Sequence, residues 1–397
     1  MNLVSADDWT QWRGPNHNNI AASGVTVPFE WSATKNVVWK ADVVGRGHAS
    51  PVLIGDLVVL CTADDASQTQ GVVAFDRRTG KQRWITAVSQ GGFPRIHPKN
   101  THASATAATD GRMIFAVFSH HEKVEVAAFD LNGKIVWKKD AGGFRPKAYE
   151  YGYAASPTIY KDTLIVSADS DTFAWVKAFR LADGSTAWEQ QRTLLLNWSS
   201  PIVASLKGRD QLLLSGQNRI ASYDAGTGRP LWETKCLTVA TCGTCIWEGD
   251  LVFASGGFPD SQTVAVRADG SGIAWSNNVK CYEQSMLVYQ GHLYAFSDQG
   301  ILYCWNAQSG QEMWKQRLKG PVSSSPLLVG DTIFATNEAG TTWVFKANPQ
   351  RYEQIAQNQL GESGFASLVA VDNQLWIRTA SGDGPQRRES LYCIGAK

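Results

Sequence analysis

Short apolar segments alternate with tight turns along almost the whole chain. The segment "HASPVLIGDLVVL", which starts at His48, contains an apolar run, a Gly-Asp turn and a second apolar run. Related segments start at Ala155, Ser199 and Ser324. Looser versions start near His102, Gly243, Gln284 and Phe365. Apolar runs of this length, bounded by Gly and Asp, predict β-strands joined by hairpins.

A second motif follows six of these eight hairpins. It reads "AFDRRTGKQRW" from Ala74 to Trp84, and related copies end at Trp137, Trp188, Trp232, Trp275 and Trp314. The aspartate can accept hydrogen bonds within its own turn, and the glycine can adopt a positive φ. A tryptophan buries a large area while its indole N–H keeps a partner. We therefore predict one tryptophan at each seam between neighbouring sheets.

Together the two motifs give four short strands every roughly 40–50 residues, the period of a propeller blade. We count eight units and predict an all-β, eight-bladed propeller of four-stranded antiparallel blades. The last unit, residues 364–394, has only three strands, and Asn36–Lys40 is a strand without a unit. Pairing the two would close the ring. The prediction is one propeller domain over residues 36–397, with residues 1–35 packed on it by Trp9, Trp12 and Trp31.

Composition excludes several classes of protein. The 397 residues carry a formal net charge of +1, whereas a nucleic-acid-binding protein needs a basic face for phosphates. The sequence contains no apolar run of about 18 residues, so we predict no membrane span. The segment "VSADD" from Val4 to Asp8 resembles the end of a secretory signal peptide. We expect an extracytoplasmic monomer, periplasmic or secreted, from which the signal peptide has been removed. The alternative is a cytoplasmic protein with an ordinary start.

The A-x-D-x-x-T-G-x-x-x-W pattern and the eight four-stranded units resemble the pyrroloquinoline quinone (PQQ)-like repeat propellers. That family includes the quinoprotein alcohol dehydrogenases and a non-enzymatic lipoprotein that assists β-barrel insertion into the bacterial outer membrane. The opening "WTQWRGPNHNN" from Trp9 to Asn19 resembles a bacterial extracytoplasmic branch of the family. The resemblance implies the fold and says less about function, because one propeller fold hosts many activities.

Aligning the innermost strands places one residue of each blade at one mouth of the central channel. The positions equivalent to His48 are His102, Ala154, Trp198, Cys242, Gln284, Ser323 and Phe365. They contain two histidines from adjacent blades and no Asp or Glu. The histidines favour a small-molecule or metal site. The alternative is that each histidine bonds a neighbouring backbone carbonyl.

Two long loops lead into the same mouth, Ser89–Ser104 and Ala141–Ser156. Their aromatic and cationic side chains suit a small anionic or sugar-like ligand, a peptide or a protein; alternatively, the loops only pack over the blades. We expect the deepest polar cleft beside His102, near Arg95 or Tyr153. The candidate ligand-binding residues are His48, Arg95, His97, Lys99, His102, Arg145, Tyr151, Tyr153, Trp198 and Gln284.

The quinoprotein resemblance would imply PQQ under a disulfide of adjacent cysteines, with acidic and amide calcium ligands. No two cysteines are adjacent in this sequence. We therefore expect a non-enzymatic binding or scaffold propeller with no cofactor and no catalytic residue. The alternatives are a PQQ-dependent oxidoreductase and a metal-assisted enzyme that uses His48 and His102. Most of the seven cysteines are expected to be core thiols, with a Cys236–Cys242 or Cys242–Cys245 disulfide left open.

Overall fold

The computed structural model describes residues 8–396. Within that range the chain forms eight four-stranded antiparallel sheets, and its only helical segment is a 3-10 turn at Gly384–Gln386. No helix among these residues is long and apolar enough to cross a membrane. The sheets are eight blades around a central channel, which confirms the all-β, eight-bladed propeller. Most of the segment proposed as the end of a signal peptide lies outside the described residues.

The first four blades are built in chain order after an isolated first strand. Their strands are β1 (Val37–Val43), β2 (Val52–Ile54), β3 (Leu57–Asp64), β4 (Thr69–Asp76), β5 (Gln82–Gln90), β6 (Ala108–Thr109), β7 (Met113–His120), β8 (Lys123–Asp130), β9 (Ile135–Gly143), β10 (Thr158–Tyr160), β11 (Thr163–Asp169), β12 (Ala174–Arg180), β13 (Thr186–Gln191), β14 (Ile202–Leu206), β15 (Arg209–Gly216), β16 (Arg219–Asp224) and β17 (Pro230–Lys235).

The last four blades continue the pattern. Their strands are β18 (Ile246–Glu248), β19 (Leu251–Gly256), β20 (Gln262–Arg267), β21 (Ile273–Asn277), β22 (Leu287–Tyr289), β23 (His292–Phe296), β24 (Ile301–Asn306), β25 (Glu312–Arg317), β26 (Leu327–Val329), β27 (Thr332–Thr336), β28 (Thr341–Lys346), β29 (Gln354–Gln359), β30 (Val369–Val371), β31 (Gln374–Ser381) and β32 (Arg388–Gly395).

The eighth blade joins the two ends of the chain. Its strand order is β1-β32-β31-β30, so the N-terminal strand is the outermost strand of the C-terminal blade. The pairing is antiparallel, with Trp39 opposite Cys393 and Ala41 opposite Leu391. This confirms the predicted closure, with a strand that runs a few residues beyond Lys40. Closing the ring leaves no inter-blade gap at which unpaired strands would be exposed.

Each docking tryptophan crosses a seam to the turn of the following blade. Trp84 donates its indole N–H to the carbonyl oxygen of Leu131 at 3.0 Å. Its ring lies against Gly133, whose φ is +84°, and a Cβ there would be 2.5 Å from the indole Cδ2. Only glycine fits both the backbone angle and the contact. The same stacking recurs in the pairs Trp39–Gly80, Trp137–Gly184, Trp188–Gly228, Trp232–Gly270 and Trp275–Gly310.

A ring of hydroxyl groups encircles the channel. Seven of its eight members accept the backbone N–H of the equivalent residue in the preceding blade, as Thr106 Oγ1 accepts from Ser50 N at 3.0 Å. Because each bond links two blades, the ring sets the register of the innermost strands. We call it the hub; its members are Ser50, Thr106, Ser156, Ser200, Thr244, Ser285, Ser325 and Ser367.

The N-terminal segment closes one end of the channel. Residues 8–21, which we call the plug, contact innermost strands of several blades around the ring. Its bonds to them are Trp9 N to Leu53 O, Thr109 N to Thr10 O, Ile159 N to Gln11 Oε1, Arg13 Nη2 to Met286 O and Asn19 Nδ2 to Pro326 O. Trp9 and Trp31 are buried, as the sequence suggested for the extension. Trp12 instead reaches the hub, where its indole donates to Thr244 Oγ1 at 3.0 Å.

Candidate binding site at the channel mouth

A cavity of about 290 Å³ occupies the channel on the far side of the hub from most of the plug. Trp12 and hub hydroxyls form its floor. Its walls include residues of both long loops, among them Lys99 and Tyr151. The expectation that these loops and the residues before the hub meet at one channel end therefore agrees with the geometry. We call this cavity the well and the face on which it opens the mouth face.

One side of the well is aromatic. Tyr151 packs 5.3 Å from Trp198, centroid to centroid, and Phe258 and Tyr282 line the same cavity. Trp198 is almost fully buried and donates its indole N–H to Gly152 O at 2.8 Å. That bond fixes the ring orientation, so the aromatic wall is preformed. We define the aromatic wall as Tyr151, Trp198, Phe258 and Tyr282.

The other side is polar and charged. The Lys99 ammonium is 3.0 Å from a carboxylate oxygen of Glu283 and 2.5 Å from one of Glu338. Ser323 Oγ lies within hydrogen-bond distance of both carboxylates and can donate its one proton to either. Burial lowers the pKa of Lys99, but the two carboxylates outweigh it and the pKa ends above its usual value. These four residues, the Lys99 cluster, hold one positive and two negative charges.

His48 stands beside this cluster as a neutral imidazole. Its ring stacks on Phe365, with centroids 4.3 Å apart and planes 5° from parallel. Burial, followed by the charges of Arg46, Arg378, Arg387 and Lys99, holds its pKa well below the ordinary value. Among the described residues, its Nε2 atom has no hydrogen-bond partner. His48 therefore adds a polar but uncharged group to the well.

The two long loops brace each other at the rim. Asn100 donates its side-chain N–H to Tyr151 O at 2.6 Å, and His97 packs edge-on against the Tyr151 ring with centroids 5.4 Å apart. His97 also accepts the backbone N–H of Lys99. These contacts link the first loop to the second, so the aromatic wall and the Lys99 cluster keep their spacing.

Five of the ten candidate residues lie on the well, and five lie elsewhere. Those on the well are His48, His97, Lys99, Tyr151 and Trp198. His102 and Tyr153 flank a space of only about 10 Å³, so the deepest cleft is not beside His102. His102 stacks on Phe93 and contacts Pro94 O at 3.0 Å through Nε2. Tyr153 is buried and donates to Ser167 O at 2.9 Å. Both hold the loops in place.

The remaining three candidates are also outside the well. The Arg95 side chain is 86% exposed and lies 3.7 Å from Glu150, and Arg145 pairs with Glu122 at 3.2 Å. Gln284 is buried and donates its amide to Phe296 O and Asp298. The arginines thus belong to the rim, whereas Gln284 belongs to the blade interior.

The residues that the sequence alignment missed are Ser104 and Glu283. Each precedes its hub hydroxyl by two residues, as His48 precedes Ser50, and each lines the well. The second "HAS" triplet at His102 stands two residues too early, because the hub residue of that blade is Thr106. In the sixth blade the sequence alignment chose Gln284, which is one residue too late, because the hub residue there is Ser285. An acidic side chain therefore does stand at the mouth, contrary to the sequence alignment.

The histidine pair expected for a metal-assisted enzyme does not form. His48 faces the well, whereas His102 packs under Phe93. Across residues 8–396, no group of three or more His, Cys, Asp or Glu side chains is arranged to hold a metal ion. All seven cysteines are free thiols, six of them buried, so neither disulfide left open by the sequence is formed. Cys242 lines the well, where burial and then Glu283 and Asp298 raise its pKa well above the ordinary value.

The residues of the well do not fit PQQ. That quinone carries three carboxylates, and Lys99 is the one ammonium or guanidinium group among the described lining residues. Its charge is already matched by Glu283 and Glu338. A calcium ion bound to these carboxylates would lie beside the Lys99 ammonium, which already holds both of them. Cys242 is followed by glycine, so the vicinal disulfide of the dehydrogenases has no counterpart.

Comparisons with known proteins agree with the propeller fold. The family model described as outer membrane protein assembly factor BamB matches residues 16–170, 68–288 and 260–384. The BamB of Bordetella pertussis is 22% identical over 387 residues, covering 91% of this chain and 86% of that protein. Two crystal structures share the fold. BamB from Moraxella catarrhalis has a TM-score of 0.64 at 16% identity, with 91% of this chain and 97% of that chain covered. The quinohemoprotein alcohol dehydrogenase from Comamonas testosteroni has a TM-score of 0.70 at 11% identity, with 100% and 82% covered.

Proposed function

Because this chain belongs to the PQQ-like repeat family described as outer membrane protein assembly factor BamB, we propose that it is a non-enzymatic scaffold that binds a protein partner. The partner lies across the mouth face, and the complex serves protein assembly at the outer membrane of a bacterium. The scaffold works outside the cytoplasm as a monomeric ring. The chemistry of the well supports this proposal, because its residues suit binding and do not fit PQQ.

One observation carries the proposal, namely the difference between the two faces of the ring. The mouth face has the two long loops and large apolar side chains that remain partly exposed: Phe173, Leu194 and Phe258, at 41%, 56% and 39%. The opposite face has the plug and tight Asp-Gly turns, with exposed Leu131 and Ile273 at two of the hairpins and, among the described residues, no long loops. Exposed apolar groups rimmed by charges are typical of surfaces that bind proteins.

The charges on the mouth rim are available to a partner. Arg95–Glu150 and Arg145–Glu122 are exposed ion pairs, and such pairs contribute little stability in water. Their members can therefore exchange partners on binding at small cost. Rim charges of both signs steer a complementary surface and set its orientation more than its affinity. Arg95 and Arg145, which are absent from the well, have this role in the proposal.

The test is site-specific photo-cross-linking in cell envelopes. Benzoylphenylalanine replaces Phe173 on the mouth face or, in the matched control, Ile273 at a hairpin on the opposite face. Both side chains are 41% exposed, so accessibility is equal and only the face differs. We expect a discrete protein adduct from position 173 and none from position 273. Equal adducts from both positions, or none from position 173 in a protein with a wild-type melting temperature, would contradict the proposal.

A further inference from the structure

The well is a blind pocket. The plug fills the channel end opposite the mouth, and Trp12 reaches Thr244 in the hub. A molecule can therefore enter from the mouth face and stop at the hub. A volume of about 290 Å³ is at the small end of the range for pockets that enclose small ligands. It is the size of a small molecule rather than of a folded partner, so the well is a separate site from the mouth rim.

The floor of the well has hydrogen-bond donors that the protein does not use. Thr106, Ser156, Ser200, Thr244 and Ser367 line it. Each of these oxygens accepts one N–H, as Ser156 Oγ accepts from Thr106 N at 2.9 Å. A hydroxyl also has one proton to donate, and no described residue accepts these protons. A ligand that carries oxygen acceptors at its deep end would satisfy them.

Two parts of the lining of the well differ in character. The aromatic wall offers flat apolar rings, and the Lys99 cluster offers carboxylate oxygens and an ammonium group. Carboxylates that already bind Lys99 still have free lone pairs, because two oxygens have about four acceptor sites. A ligand with one apolar face and hydroxyl groups around its edge would match the rings on one side and the cluster on the other.

The charge of the well selects a neutral ligand. The Lys99 cluster carries one positive and two negative charges, and His48 is neutral. An anion would meet a net negative group and no unpaired cation among the described lining residues. The Lys99 ammonium already lies between the two carboxylates, at 3.0 and 2.5 Å, so a second cation could reach them only beside a like charge. A neutral polyol brings no charge into the well and disturbs no ion pair.

We propose that the well is a binding site for a neutral saccharide of about one or two hexose units. The C–H face of the pyranose packs on the aromatic wall, its hydroxyl edge bonds the Lys99 cluster and the His48 imidazole, and its deep end accepts from the hub hydroxyls. This site goes beyond the proposed scaffold function and does not depend on it.

The test is calorimetric titration of the purified protein with glucose, galactose, N-acetylglucosamine, maltose and cellobiose. Glucuronate and glucosamine serve as the matched anionic and cationic probes. We expect saturable binding of at least one neutral sugar, and binding at least tenfold weaker for both charged sugars. The proposal is overturned if no neutral sugar binds saturably at concentrations up to about 10 mM, or if glucuronate or glucosamine binds as tightly as the neutral sugars.

Variants locate the site. Glu283→Gln keeps the shape but removes a charge and two acceptor sites, and Tyr151→Ala removes part of the aromatic wall; each should weaken the sugar at least tenfold. Arg95→Ala, on the exposed rim, should leave the affinity unchanged. Unchanged binding in a folded Glu283→Gln protein would overturn the assignment. The two proposals can fail separately. Glu283→Gln should weaken sugar binding while cross-linking from position 173 persists. Conversely, if position 173 gives no cross-link, the measured sugar binding is unaffected.

Discussion

We predict that His17 makes the plug sensitive to acid. It is buried, and Gln11 donates its side-chain N–H to His17 Nε2 at 3.2 Å. Burial, then the nearby charge of Arg13, lowers the pKa of His17 to about 4, despite a backbone hydrogen bond to Trp12 that raises it. Protonation would place a positive ring where a neutral acceptor is needed, beside a buried guanidinium group. We predict that His17→Asn removes this pH sensitivity.

The magnitude follows from the two pKa values. A histidine whose pKa is lower in the folded than in the unfolded chain stabilises the fold above pH 6.5, and the stabilisation is lost as the pH falls toward 4. The pKa of His17 is about 4 in the folded chain and 6.5 in the unfolded chain. Lowering the pH from 7.5 to 4.5 should therefore reduce the free energy of unfolding by about 2–3 kcal/mol. For a chain of this length, that is a shift of about 3 °C in the melting temperature.

Thermal unfolding at the two pH values, checked for reversibility by rescanning, measures the effect. Asparagine tolerates the positive φ of position 17, which is 54°, better than most residues. The variant loses packing and should melt lower than wild type at pH 7.5. When the pH is lowered to 4.5, the melting temperature of the variant should fall by about 3 °C less than that of wild type. The control His292→Asn, at a partly exposed histidine, should follow wild type. Equal pH slopes for wild type and His17→Asn would refute the reasoning.

Three further predictions concern the seams and the well. The Trp137 indole donates to Leu181 O at 2.8 Å, whereas the Trp188 indole N–H has no partner among the described residues. Trp137→Phe should therefore lower the free energy of unfolding by about 1 kcal/mol more than Trp188→Phe does. Equal losses in urea titrations would contradict this. Cys242 should resist iodoacetamide at pH 8 because its pKa is raised, so rapid labelling of the folded protein, seen by mass spectrometry, would refute the buried environment. Incubation with PQQ and calcium should give no bound-quinone absorbance and no dye-linked alcohol oxidation. Either signal would favour a PQQ-dependent oxidoreductase over a non-enzymatic scaffold.

The fold could be predicted because its determinants are local and repeated. The docking tryptophan, the turn aspartate and the turn glycine recur at fixed spacing, and each interaction joins neighbouring blades. The ring closure followed from counting, since one strand was surplus at the start and one was missing at the end. The plug was only half foreseen, because its contacts reach from Trp9 to Leu53 and from Asn19 to Pro326 without any repeating signal.

The site was harder to predict, because the relevant register is defined by a hydrogen bond and not by a sequence triplet. "HAS" occurs at His48 and again at His102, and the similarity suggested equivalent positions. The structure aligns the hub by the hydroxyl that accepts the neighbouring N–H, which makes Thr106 the counterpart of Ser50. His102 therefore lies four residues before its hub residue, whereas His48 lies two residues before its own. At that position the His102 ring packs against Phe93 of the loop. No pattern in a single sequence separates these two registers.

The hub also shows where the repeat stops and function begins. All eight hub positions carry Ser or Thr, and each hydroxyl oxygen accepts one N–H: seven accept from the backbone of the preceding blade, and Thr244 accepts from the Trp12 indole. Two residues earlier, at the same height above the hub, no such bond is required, and the eight side chains have little in common. They are His48, Ser104, Ala154, Trp198, Cys242, Glu283, Ser323 and Phe365. Selection for folding alone would favour small, similar residues there, as it does in the hub. A neutral imidazole, an indole and a carboxylate at equivalent positions are what the proposed saccharide site predicts, namely a surface that differs around the ring to match one asymmetric ligand.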